Sequence, residues 1–238
     1  MKKITILLLS LSLILAACGA QPSSLATEAA PASSSTEEVS ASQPTEPPAS
    51  LATEQPDPSG ASIYRIVAGE STLQYEVGEV FFNENNRFNV AVGITTQING
   101  EITVNLAEPQ NSTLGPVTAD ISQFKSDSPR RDNALRERFI QSSRYPTVTF
   151  VANQFSGLPE SYQEGQTVQL QIGGELTIRE TTRPVTFAAT VMVQADQLTG
   201  EATTTILMSD FGFGPIDMGG ILKTEDEVKI TLSFIARP

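Results

Sequence analysis

From residue 62 to the C-terminus, apolar side chains recur at every second position in one short run after another. That period belongs to an extended strand with one buried face, not to the 3.6-residue repeat of an amphipathic helix. Leu73, Tyr75 and Val77 open the pattern, and "RFNVAVGITT" places Phe88, Val90, Val92 and Ile94 on one face. Val117, Ala119 and Ile121 continue it, then Val148 and Phe150. Val168, Leu170 and Ile172 alternate with Gln169 and Gln171; Phe187, Ala189, Val191 and Val193 follow, and Val228, Ile230, Leu232 and Phe234 close the chain. Asn99–Gly100 has the composition of a two-residue hairpin turn, which predicts antiparallel neighbours on either side. There is no strand–helix–strand rhythm and no internal repeat. The expectation is an all-β fold: a single antiparallel sheet of about eight strands, whose closure into a barrel removes exposed edges.

One segment breaks the alternation. In "DSPRRDNALRERFIQSSRYP" (127 to 146), Ser128 is a capping residue, Pro129 suits the first helical position, and Leu135 and Phe139 fall one turn apart. Pro146 ends the segment. Asp132 and Arg136 have the spacing of a helical ion pair. Arg130 and Arg131 stand in the first turn, where cations oppose the helix dipole. Something outside the helix must answer that charge: an acid of the barrel, or a bound anion.

The first 61 residues read differently. Lys2 and Lys3 precede the apolar run Ile4 to Leu15, and "LAAC" follows with the chain's single cysteine, Cys18. This matches a bacterial lipoprotein signal, predicting a signal peptide over 1–17 and a diacylglycerol anchor on Cys18. Residues 18–61, rich in Ser, Thr, Ala, Pro and Glu and without aromatics, are expected to be a disordered linker. A flexible chain of about 43 residues has a root-mean-square reach of roughly 35–40 Å. The expected location is therefore extracytoplasmic, tethered to a membrane.

Residues 62–238 form the expected domain. The chain carries 27 acids and 15 bases, and removing the six acids and two lysines before residue 62 leaves the domain near −8, unsuited to nucleic acid. It has no histidine, and no thiol besides Cys18. This excludes His- and Cys-based nucleophilic catalysis and Cys/His metal sites. Asp210 and Asp217 read as solvated loop acids rather than a catalytic pair. No catalytic residue, cofactor or metal is expected.

Around the helix, Arg131, Asp132, Leu135, Arg136, Phe139, Tyr145, Pro146 and Phe150 resemble the signature of the YceI-like family of lipid-binding, lipocalin-like barrels. "GELTIRETTRPVTF" (174 to 187), "MSDFGFG" (208 to 214) and the closing strand are similar to further family segments, in the same order. Ala134 and Glu180 depart from the pattern, where the family carries histidine and glycine. The resemblance implies an eight-stranded antiparallel barrel with a helix at its side or mouth, holding an isoprenoid or fatty amphiphile in a long apolar interior.

The candidate interior residues are Leu135 and Phe139 from the helix; Phe150, Ile172, Phe187, Val191, Ile206 and Phe234 from strands; and Phe211 and Phe213 from the glycine-rich stretch 209–227. Ala152, Ala188, Ala189 and Ala202 are small enough to leave room among them. The strand residues could equally fill a solid barrel, and the loop aromatics could pack on themselves rather than form a lid. Arg130, Arg131 and Arg136 are the headgroup candidates. A binding module is the leading expectation; a solid barrel that binds another protein through its surface is the alternative.

Overall fold

The structure, a computed structural model, describes residues 60–238. The expected signal peptide, Cys18 and nearly all of the linker lie outside them. The strands are β1 (Ala61–Ile66), β2 (Thr72–Phe81), β3 (Arg87–Thr95), β4 (Ile98–Asn99), β5 (Glu101–Asn105), β6 (Thr113–Leu114), β7 (Val117–Asp120) and β8 (Lys125–Ser126), followed by β9 (Thr147–Ser156), β10 (Thr167–Ile178), β11 (Thr181–Gln194), β12 (Gln197–Leu207) and β13 (Leu222–Arg237). The helix α1 (Pro129–Ala134) runs into a π-helical turn over Leu135–Phe139.

All thirteen strands belong to one curled antiparallel sheet, more pieces than the eight expected. The difference lies between residues 98 and 126, where Pro109, Gly115 and Pro116 interrupt the ladder and leave strands of two to five residues. The seven strands of nine or more residues pair in the order β9–β10–β11–β12–β13–β2–β3. The sheet curls because β7 pairs with β9 while β8 pairs with β3, so one broken segment bridges both ends. Thr95 Oγ1 donates to Asp120 O (3.0 Å) and Ile121 N to Pro146 O (2.7 Å) across the break.

Asn99–Gly100 is not a hairpin turn. It separates β4, which pairs with β7, from β5, which pairs with β1 and β6. Gly100 is there for room: a Cβ on it would lie 2.9 Å from Ile66 Cδ1. The tight turns fall instead at Arg179–Glu180 and Ala195–Asp196, where Arg179 and Ala195 take the left-handed backbone that two-residue hairpins need.

A second expectation is inverted. The apolar row of β3 faces outward: Phe88 is 57% exposed and Val90 48%, while Ala91, at 1%, faces in with Gly93 and Thr95. Alternation identifies a strand without saying which face is buried. Ala188 likewise points out, whereas Ala189 and Ala202 are buried opposite each other on β11 and β12.

Candidate binding cavity

Two apolar clusters fill the inside of the curl. One gathers Phe150, Leu170, Leu176, Phe187, Ile206 and Phe211; the other gathers Tyr64, Ile98, Val193, Leu198 and Phe234. Between the side chains that border both is a cavity of about 270 Å³ with no charged residue in its lining. That volume sits near the lower end of small-molecule pockets. Side chains from every strand except β3 and β8, from Leu135 and Ile140 and from the loop residues Phe213 and Ile216 line it.

Leu135, Phe150, Ile172, Phe187, Val191, Ile206, Phe213 and Phe234 all border this cavity. Phe139 and Phe211 do not. Phe139 packs against the larger cluster from the helix, and Phe211 is buried within that cluster. The stretch 209–227 divides accordingly: Phe211 and Ile216 are core, Phe213 and Met218 pack partly against it, and Ile221 is exposed. Asp210 and Asp217 are exposed; Asp217 Oδ1 accepts from Gly219 N at 2.9 Å. Alternation also missed Ile98, Ile102, Leu106 and Leu114, which line the cavity from segments too short to show a period.

The helix is held as its sequence predicts at the start. Ser128 Oγ accepts from Arg131 N at 3.4 Å, and Pro129 takes the first position. Its charged residues then part ways. Arg130 is exposed. Arg131 turns inward, with Nε donating to Glu79 Oε1 (3.0 Å) and Nη2 to Oε2 (2.8 Å), a bidentate fork on a buried carboxylate. Arg131 Nη1 also meets Asp127 and Ser126. Hydrogen bonding to Glu79 is the main reason the Arg131 guanidinium is raised still further above its ordinary value. Arg136 donates to Ser122 O and Asn133 Oδ1 rather than pairing with Asp132. Asp132 instead accepts from Ser126 N (3.0 Å) and Oγ (2.6 Å), because the chain entering the helix passes directly beside it. The protein's own acids thus answer Arg131.

Glu79 was missed, although a signal was present. The inward row Leu73, Tyr75, Val77 continued by one step lands on Glu79, a charge at a core position. Tyr75, on the same inward row, is part of the larger core cluster. Its hydroxyl is buried without a hydrogen-bond partner, its ring stacks edge-on against Phe124 at 5.1 Å, and burial raises its pKa. Tyr162, by contrast, is satisfied: its hydroxyl donates to Val193 O (2.7 Å) and accepts from Val193 N (2.8 Å). Among the described residues no group of three or more acidic, histidine or cysteine side chains is placed to hold a metal.

The model of the YceI-like domain matches residues 64–236, the whole curled sheet apart from its first and last residues. The chain belongs to the YceI-like family. A UPF0312 protein of Pseudomonas putida (strain W619) is 28% identical over 130 residues, which cover 52% of this chain and 64% of the relative. The chain therefore matches less than two thirds of that relative's length. Among solved structures, BcnA of Burkholderia cenocepacia superposes with a TM-score of 0.56 at 18% identity, covering 71% of this chain and 98% of BcnA. A polyisoprenoid binding domain from Saccharophagus degradans superposes at 0.52 with 10% identity, covering 73% of this chain and 97% of that domain. At these identities the likeness is one of fold.

Proposed function

We propose that this YceI-like protein sequesters or carries a single-chain amphiphile, a polyisoprenoid or similar lipid, in the interior of a lipocalin-like barrel, without chemistry. The observation that carries the reading is the cavity: small, enclosed by side chains of both core clusters and free of charge along its lining. An apolar void of this kind favours a hydrocarbon chain over water. Its small volume favours one slender chain over a bulky ring system. A solid barrel acting only through its surface fits less well, because a filled interior would leave no such space.

We further propose that export and attachment occur through Cys18, with residues 18–61 acting as a tether. The support is the sequence of the first twenty residues.

The test is organic extraction of the purified protein followed by mass spectrometry. A long-chain lipid recovered in near-stoichiometric amount from the wild type is expected. The double variant Ala189→Leu/Ala202→Leu, which adds bulk at two paired cavity positions, should fold with an unchanged circular-dichroism spectrum and lose the lipid. Wild-type protein recovered empty from its native host would overturn the reading.

A further inference from the structure

The outward face of β3 is the odd feature of the molecule. Five of the eight exposed large hydrophobics, Phe82, Phe88, Val90, Ile94 and Ile221, sit on this strand or at the barrel end beside it. Phe82 N donates to Ile221 O at 3.0 Å, joining the β2–β3 turn to the start of β13. Directly opposite residues share a face, so the register extends the patch across three strands: Val80 lies opposite Phe88 and Lys223, Gly78 opposite Val90, and Ile94 opposite Lys125.

The charges around the patch are unusual for this chain. The sequence has only three lysines among the described residues, Lys125, Lys223 and Lys229, and all three are exposed on this same face. Lys229 is paired with Glu76 at 3.1 Å, and the Glu225 carboxylate lies over Gly78. Lys125 and Lys223 stand beside Ile94 and Val80. An acidic protein has thus gathered its ammonium groups around its exposed aromatic and branched side chains.

We infer that this face docks on an anionic lipid bilayer, Phe88, Val90 and Phe82 entering the interface and Lys125 and Lys223 meeting headgroup phosphates. Two arguments select this occupant. A two-fold contact between copies would bring two sets of these lysines into one desolvated interface, whereas anionic headgroups complement them. The choice also rests on the proposed anchoring at Cys18. About 43 residues extend to at most ~150 Å, longer than the barrel is tall, so the tether lets any side of the domain reach the surface. In this pose the barrel end carrying Phe82 and Ile221, where Phe213 and Ile216 border the cavity, lies at the lipid boundary.

The chain has no tryptophan, so Phe88→Trp creates a single fluorescent reporter in the full-length protein, with Val90→Trp as a second in case the first fails to fold. Thr190→Trp, exposed on β11 four strands away around the sheet, is the control. With phosphatidylglycerol-containing vesicles bearing acyl-brominated lipid, the β3 reporter should shift to the blue and lose at least about half its emission, and the control should not. Adding Lys125→Ala or Lys223→Ala should weaken vesicle partition about fivefold each. A domain held nearby only by its N-terminus would show no bromine quenching at β3, and that result overturns the inference. So does equal quenching at Thr190→Trp. A blue shift that grows with protein concentration without vesicles overturns it in favour of self-association. Lipid recovered by extraction of the wild type is read independently, so failure here leaves the carrier reading standing, and the reverse.

Discussion

Strands β3 and β10 carry similar alternating patterns and use them in opposite senses. In β10 the apolar row Val168, Leu170 and Ile172 faces the interior and the glutamines face out. In β3 the apolar row faces out, and the interior receives Asn89, Ala91, Gly93 and Thr95. The reason lies on the inner face of the curled sheet. A Cβ on Gly93 would lie 2.2 Å from Tyr75 Cε1, so that ring already occupies the volume an inward side chain of β3 would need. Two inward positions further along, the Arg131–Glu79 fork fills the interior, with Asn89 Nδ2 3.4 Å from Glu79 Oε2. The helix contributes bulk and charge at this wall, leaving no space for the apolar row. A strand's inward face is set by what stands opposite it.

Four substitutions probe this contrast, from the largest expected loss of stability to none. Arg131→Ala strands the Glu79 carboxylate in the interior beside β3, and loss of one partner of a buried pair costs about 3–5 kcal/mol. Urea unfolding should show it, and a cost near that of an exposed arginine would mean that the fork does not support this wall. Leu170→Ala and Val90→Ala form the direct pair. The first should destabilise by roughly 2–5 kcal/mol through the hole it leaves in β10, and the second by under about 0.5 kcal/mol. Equal losses would show that the outward row of β3 is buried in solution, against lipid or another chain.

Tyr75→Phe is the mildest. It removes a buried hydroxyl that has no partner, so stability near neutrality should hold or rise by up to about 1 kcal/mol. The pH dependence has a definite sign. Burial raises the folded-state pKa of Tyr75 above the ordinary value of 10.0. Its share of stability is therefore intact below that value and lost as pH climbs through it toward the folded-state value. Tyr64, also raised by burial, is common to both proteins, so above pH 10 the wild type should lose more stability than the variant. Parallel alkaline curves would show that Tyr75 reaches water in the folded state.

Much of this was legible in the residues. The long strands announced themselves through strict alternation, and the helix through Ser128, Pro129 and the spacing of Leu135 and Phe139. Tyr75, Phe150, Phe187 and Phe234, which border the cavity, were legible as members of alternating runs. Phe139 and Phe211 were misplaced because apolar character marks a residue for burial without saying whether it borders a void or fills the packing around one. The short strands between 98 and 126 escaped because two to five residues are too few for a period to show. Asn99–Gly100 misled because a turn-forming pair fits equally well where the chain merely changes partner and needs space.

The sequence by itself determined the class of the domain, its antiparallel strands and its single capped helix, since each depends on local periodicity and local hydrogen bonding. It also determined the family, through motifs spread along the chain. Only the tertiary structure decided which face of β3 is inside, that Arg131 is answered by Glu79, and that the interior retains an uncharged void. Those outcomes depend on residues far apart in sequence competing for the same volume: Tyr75 against Gly93, and a helix side chain against a carboxylate fifty-two positions away.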